Sequence, residues 1–180
     1  MAIPSSDMRD TELPNIYLGT TVLNYVKEFR YLGHVITCDF SDDLDIAREI
    51  RSLYARGNAL VRNSVFLSLD VKCKLFESYC YSLYGAALWS KYNQSTLYRL
   101  KVCYNSIMRK LAYVAPWQSA RAMFVGLGVR SFEESMRTVT YSLKRRIEES
   151  NNPIIVALSN SDTMHRSSQR LIWDNRLFVH

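Results

Sequence analysis

At 180 residues, 48% apolar and 22% charged, the chain is long enough for one domain with a real core and too apolar for wholesale disorder. Its net charge of +6 is unevenly spread. Up to Asp43 there are three Lys/Arg against seven Asp/Glu; from Leu44 to Arg146, seventeen against six, a net of +11; beyond, three against four. A strongly basic middle between acidic ends fits a polyanion-binding surface, although well-solvated helices carry the same pattern.

Residues 1–14 read as a loose, polar N-terminus with no charged-then-apolar leader. Short β-type runs follow at Ile16 to Leu18 and Thr20 to Leu23. Glu28 to Ile36 reads as a longer strand, with Phe29, Tyr31, Gly33 and Val35 alternating against Arg30, Leu32, His34 and Ile36. The glycine inside it marks a bulge or a close approach. Together they predict a small antiparallel unit over 15–37, which needs a partner surface and so hints at further sequence upstream.

Helices then take over, a domain over 38–150. The first carries Ile46, Ile50, Leu53, Gly57 and Leu60/Val61 at helical spacing. The second opens near Ser68/Asp70 and runs to about Trp89, with Val71, Leu75, Phe76, Tyr79 and Leu83 inward. Ser95 caps a third, whose stripe is Leu97, Leu100, Tyr104, Ile107, Leu111 and Val114. A short fourth spans about Ser119 to Leu127. Ser131 with Glu134 forms a capping box for a fifth, ended by Asn151-Asn152-Pro153. Residues 151–180 read as a polar linker and a short C-terminal segment, Leu171 to Val179, whose apolar residues have no evident partner. The expected fold is mainly α: a bundle of about five helices with a small N-terminal β unit.

Several features narrow the chemistry. Cys38, Cys73, Cys80 and Cys103 form no CxxC spacing, and Cys73 and Cys80 share a helix face where reduced thiols pack as small apolar groups. A reducing intracellular setting, nucleus or cytoplasm, follows as the expectation. His34, His165 and His180 make no metal or triad set, so no metal and no cofactor are expected. Gly126-Leu127-Gly128 is a helix end, lacking the Lys-Ser/Thr of a phosphate loop. The longest apolar stretches, such as Leu83 to Trp89, are too short to cross a bilayer.

The order of Tyr31-Leu32-Gly33, acidic helix start and basic helix resembles the palm–thumb junction of non-LTR (LINE-type) retrotransposon reverse transcriptases. So do Asp45-Ile46-x-x-Glu49-Ile50-x-x-Leu53-Tyr54-x-Arg56-x-Asn58, Lys72-x-Lys74-Leu75-Phe76-x-Ser78-Tyr79-Cys80, and Tyr84-x-x-x-Leu88-Trp89. Leu100-x-x-x-Tyr104-Asn105-x-x-Met108-Arg109 and Ala120-x-x-Met123-Phe124 extend the likeness over roughly residues 15–150. The resemblance implies that Tyr31, Leu32 and Gly33 occupy primer-grip positions and that the helices form the thumb against a template–primer duplex. It also implies a missing upstream palm and fingers domain as natural partner, and a parent activity of RNA-directed DNA synthesis. The structural alternative is that Tyr31 and Leu32 simply pack.

Phe40-Ser41-Asp42-Asp43 looks like that family's catalytic aromatic-x-Asp-Asp signature, whose paired carboxylates hold two metals. Here the pair precedes a helix-period pattern, and in the family the catalytic pair comes before the Tyr-Leu-Gly strand. Helix capping is therefore the reading, with no catalytic residue in this chain.

Candidates for phosphate contact are Arg48, Arg51 and Arg62; Lys72 and Lys74; Arg99, Lys101, Arg109 and Lys110; and Lys144, Arg145 and Arg146, all expected to project outward. Tyr79, Tyr81, Tyr84, Trp89, Tyr92, Tyr98 and Tyr104 could stack on bases, though helical spacing makes most of them core. The expected function is low-specificity binding of an RNA–DNA hybrid or duplex backbone by a polymerase fragment. A helical interaction module docking through Leu171-Ile172-Trp173, or a decayed retroelement fragment, remains open.

Overall fold

The computed structural model describes residues 14–161 and 173–175. Two antiparallel hairpins come first: β1 (Ile16–Leu18) with β2 (Thr21–Leu23), and β3 (Glu28–Tyr31) with β4 (His34–Thr37). Six helices follow: α1 (Asp43–Asn63), α2 (Leu69–Cys80), α3 (Gln94–Ala112), α4 (Ala120–Leu127), α5 (Phe132–Glu148) and α6 (Pro153–Ser159). Residues 173–175 add a helical turn. The chain is thus mainly α with a small N-terminal β unit.

The stretch expected as one strand from Glu28 to Ile36 is two strands. Leu32 (φ 47°) and Gly33 (φ 84°) both take left-handed backbone, the type I′ turn whose twist matches a hairpin. Gly33 is a turn glycine rather than a bulge, and a methyl there would already touch Tyr84 Cε1 at 3.4 Å.

The core is built on α1 and α3. The stripe Ile46, Ile50, Leu53, Gly57 and Leu60 is buried as its spacing demands, against Leu100, Cys103, Tyr104, Ile107, Met108 and Leu111. The helices run parallel: Asp43 meets Asn93 at their starts, and Gly57 sits on Ile107 further along. A Cβ at Gly57 would lie 2.6 Å from Ile107 Cγ1 and 2.8 Å from Cγ2. Glycine mid-helix here permits close approach of the two axes. Tyr104 is the aromatic centre, with Phe76, Phe124 and Phe132 rings at 4.9, 5.8 and 5.7 Å and its hydroxyl 3.0 Å from Ser135 Oγ.

α2 stops at Cys80, well short of Trp89, because Leu83 (φ 31°) and Gly85 (φ 87°) turn the chain away. Its buried face is Lys72, Cys73, Phe76 and Cys80, while Val71 and Tyr79 are exposed. The stripe is offset by one position because a lysine, with its long apolar stem, fills a core slot. Asn93, not Ser95, precedes α3. The capping box of Ser131 and Glu134 is present, with the Ser131 amide donating to Glu134 Oε2 at 2.7 Å. α6 was not anticipated: Asn152 Oδ1 accepts from the Ile154 amide at 2.9 Å and Pro153 takes the first turn. The Asn-Pro that stops one helix starts the next. Residues 1–13 and most of the expected linker lie outside the described residues.

Gly57→Ala is expected to lower stability in urea denaturation. Overpacking of about 1–3 kcal/mol outweighs the ~1 kcal/mol that alanine gains from helix propensity. Trimming Ile107 to valine in the same chain should recover part of the loss. A Gly57→Ala protein more stable than the parent would mean that the helices do not meet there.

Candidate nucleic-acid interface

Asp45 joins the β3–β4 hairpin to the bundle. Its side chain is buried at the start of α1, yet four donors reach it. Arg48 Nε donates to Oδ1 at 2.7 Å and the Val35 amide to Oδ1 at 3.0 Å; Trp89 Nε1 donates to Oδ2 at 2.8 Å, and His34 Nδ1 lies 3.0 Å from Oδ2. Burial alone would raise its pKa, but the bonds from Arg48, Trp89, His34 and Val35 prevail and hold it down at about 2. One turn on, the fully buried Glu49 accepts from Arg48 Nη1 at 3.2 Å and Arg56 Nη2 at 2.7 Å. Arg48 stands three residues after Asp45 and next to Glu49, and Arg56 lies seven residues, two turns, beyond Glu49, so both acids find their cations along one flank of α1.

The hairpin tip is seated by the same segment. The His34 and Tyr84 rings stack at 4.7 Å, and Tyr84 Oη donates to the Leu32 carbonyl at 2.9 Å. A side chain at Gly85 would collide with the His34 ring, which fixes glycine there. Held this way, Tyr31 and Leu32 face solvent, at 57% and 72% exposure, so simple packing does not account for them. They border a groove of about 460 Å³ shared with Phe40, Asp42 and Leu88.

α1 does begin at Asp43, after Asp42, but neither carboxylate caps its own helix. Asp42 Oδ2 accepts from the Ser90 and Lys91 amides, each at 2.7 Å. Asp43 accepts from the Asn93 amide at 3.0 Å and from Asn93 Nδ2 at 2.5 Å, and its pKa lies below the usual range because these bonds outweigh burial. Both acids pin the 90–93 segment to the helix start.

The twelve candidate cations separate into groups. Arg48 is committed to Asp45, Glu49 and the Tyr84 carbonyl, and Lys72 is buried beneath Tyr113, so neither projects outward as expected. Lys101 pairs with Glu133, Lys144 with Asp174 and Arg145 with Glu149, while Arg109 donates to the Ala115 carbonyl at 2.9 Å. Lys74 is exposed on α2 and Arg146 on α5. Four of the others converge. Tyr54 of α1 lies beside Cys103 of α3 and within reach of the charge of Arg99, while Cys103 lies within reach of that of Lys110. Helical spacing puts Arg51 and Arg62 on the Tyr54 flank of α1, and Arg99 and Lys110 on the Cys103 flank of α3. All four are exposed. α3 contains no Asp or Glu, and neither does α1 beyond Glu49. The result is an acid-free basic face along two parallel helices.

Neither family models, nor curated proteins, nor solved structures match this chain. Among the described residues no group of three or more His, Cys, Asp or Glu could hold a metal ion, and no helix is long and apolar enough to cross a membrane. All four cysteines are free, and burial lifts the Cys80 and Cys103 thiols to about 11.

Of the candidate stacking residues, Trp89 and Tyr104 are buried, whereas Tyr79, Tyr84 and Tyr98 are exposed. Phe66, which the sequence offers only as part of the hydrophobic link Val65-Phe66-Leu67, is 100% exposed, and Tyr113 and Trp117, absent from the stacking candidates, are 75% and 86% exposed. They stand in loops and at a helix end, where periodicity carries no signal. The expected docking role of the C-terminal tail is corrected for Trp173, which is buried and donates to the Ala87 carbonyl at 2.9 Å. Leu171 and Ile172 lie outside the described residues.

Because the folded pKa of Asp45 is depressed from 3.8 to about 2, its contribution is complete above pH ~4 and lost as pH falls through ~2. That contribution is about 2 kcal/mol. Denaturation measured from pH 7 to pH 2 should therefore show a steeper acid limb than in Asp45→Asn. At pH 7 the variant should be weaker by about 3 kcal/mol, since Arg48 loses its buried partner. Equal pH profiles for the two proteins would remove Asp45 from this role.

Proposed function

We propose that this chain is the primer-grip and thumb portion of a polymerase resembling non-LTR retrotransposon reverse transcriptases, and that it holds an RNA–DNA hybrid or duplex by its phosphates. The observation that carries this reading is the acid-free face of α1 and α3 bearing Arg51, Arg62, Arg99 and Lys110. Cations spaced along two rigid, parallel helices contact a phosphate ladder without reading its sequence. The exposed hairpin tip Tyr31-Leu32 supports a grip role, since it offers a rigid, seated turn rather than a core strand. On this reading the natural partner is an upstream palm and fingers domain, and the free thiols suit a reducing compartment in nucleus or cytoplasm.

The chain is proposed to bind without catalysing nucleotidyl transfer, because Asp42 and Asp43 spend their oxygens on the backbone and side chain of residues 90–93. Primer extension on an RNA template with magnesium or manganese should give no product. Templated incorporation lost in Asp42→Ala and Asp43→Ala would reverse that assignment.

Binding itself is tested by fluorescence anisotropy on an RNA–DNA hybrid across a salt series. Affinity should vary little with sequence and fall steeply with salt, with a slope of about 0.9 per phosphate neutralised. Converting Arg51, Arg62, Arg99 and Lys110 together to glutamate should abolish the measurable affinity while circular dichroism is unchanged. Converting Arg145 and Arg146, on α5, should do much less. A folded parent protein with no salt-sensitive affinity for hybrid, duplex or single strand ends the proposal.

A further inference from the structure

A second feature adjoins the basic face and asks for a different ligand geometry. Along the outer side of α3 runs a groove of about 610 Å³, lined among others by Tyr98, Asn105, Arg109, Lys110 and Tyr113. No acidic residue lines it. Lys110 belongs both to this groove and to the α1–α3 face, so the two surfaces are continuous.

The aromatic residues at its ends are unusual. Tyr98 is 64% and Tyr113 75% exposed, although both rings would gain by burial. Tyr113 is the residue after the last turn of α3, in left-handed backbone at φ 55° and ψ 35°. Glycine or asparagine ordinarily takes that place, since a Cβ is strained there. Beneath the ring, Lys72 Nζ lies 4.5 Å from the centroid and 3.4 Å from the hydroxyl. A buried cation thus orients a ring that the strained backbone holds out into solvent. Strain at an exposed aromatic, supported from below, suits a prepared contact surface.

We infer that this groove takes an unpaired nucleic-acid strand, with bases stacked on Tyr98 and Tyr113 and phosphates held by Lys110 and Arg109. The proposal rests on the polyanion reading of the α1–α3 face and specifies what lies beside the duplex. Spacing is compatible: the two tyrosines are separated by about 22 Å at 1.5 Å per helical residue. A stacked strand rising ~3.4 Å per nucleotide would place about six nucleotides between them. Stacking tolerates any base because every base offers a π-face, in keeping with a groove whose lining, apart from its cations and tyrosines, offers only Asn105 and Ser106 as polar side chains. Arg109 keeps donors free beyond the one given to the Ala115 carbonyl, and its charge stays at the groove.

The experiment compares three labelled probes on the full chain: a deoxythymidine strand of about ten nucleotides, its abasic deoxyribose-phosphate counterpart, and an RNA–DNA hybrid. An oligouridine arm distinguishes RNA from DNA in the same groove. The base-bearing strand should bind about ten-fold tighter than the abasic one, as expected for two modest stacking contacts. Tyr98→Leu with Tyr113→Asn should erase that difference and leave hybrid affinity unchanged. Tyr98→Leu alone, at an exposed position, should remove part of it with the fold intact by circular dichroism. Equal binding of the base-bearing and abasic strands overturns the inference. So does a double variant that weakens hybrid and single strand alike, or an acidic peptide that competes as well as the strand. If hybrid binds but these differences are missing, the phosphate-binding face stands without the groove. If nothing binds, both fail together.

Discussion

A single buried carboxylate sets the geometry on which the remaining features depend. Asp45 gathers a backbone amide and a ring from β4, a guanidinium from its own helix and an indole from the segment after α2. No apolar residue could bring these elements together, because the Val35 amide and Trp89 indole each require an acceptor. A two-stranded hairpin is marginal by itself, and here ionic hydrogen bonding to the bundle substitutes for a third strand. The same bonds place Trp89, and with it the segment that Asp42 and Asp43 clasp.

Burying the acids of α1 also shapes the electrostatics of the surface. Asp45 and Glu49 are neutralised on one flank by Arg48 and Arg56. The other flank keeps Arg51 and Arg62 without any acid on the same helix beyond Glu49. A helix with a modest overall charge thereby presents a strongly basic side. Because α3 has no acidic residue, the side-by-side arrangement reinforces that field instead of diluting it.

Much of the architecture was legible from spacing. The stripes of α1 and α3 pack as their periodicity requires, and the Ser131–Glu134 box marks the start of α5. What escaped has physical reasons. Alternation cannot distinguish one strand from two when the turn between them is only Leu32-Gly33, because the pattern runs through unbroken. The end of α2 was overrun because Leu83 to Trp89 is apolar enough to continue a helix, and only tertiary packing forces Leu83 and Gly85 into positive φ. Among the twelve cations, Arg48 and Lys72 were misread as outward-facing: a charge is hidden only if a partner is waiting, and Asp45, Glu49 and Tyr113 are supplied by folding. The cluster of Arg51, Arg62, Arg99 and Lys110 needed the parallel docking of two helices, a relation no local pattern contains.

That parallel docking also governs how the chain reaches its fold. The start of α1 meets α3 fifty residues later, at Asn93, and the intervening helix and loop must form a long return before the α1–α3 contact closes. On a ribosome emitting the chain from its N-terminus, α2 can cover only part of the α1 stripe, and the rest stays open until α3 has emerged. Formation of the core is therefore a non-local event of high contact order for a helical protein, slower than in a bundle of antiparallel neighbours. The apolar stripe of α1 is the segment most exposed to misassociation during that interval.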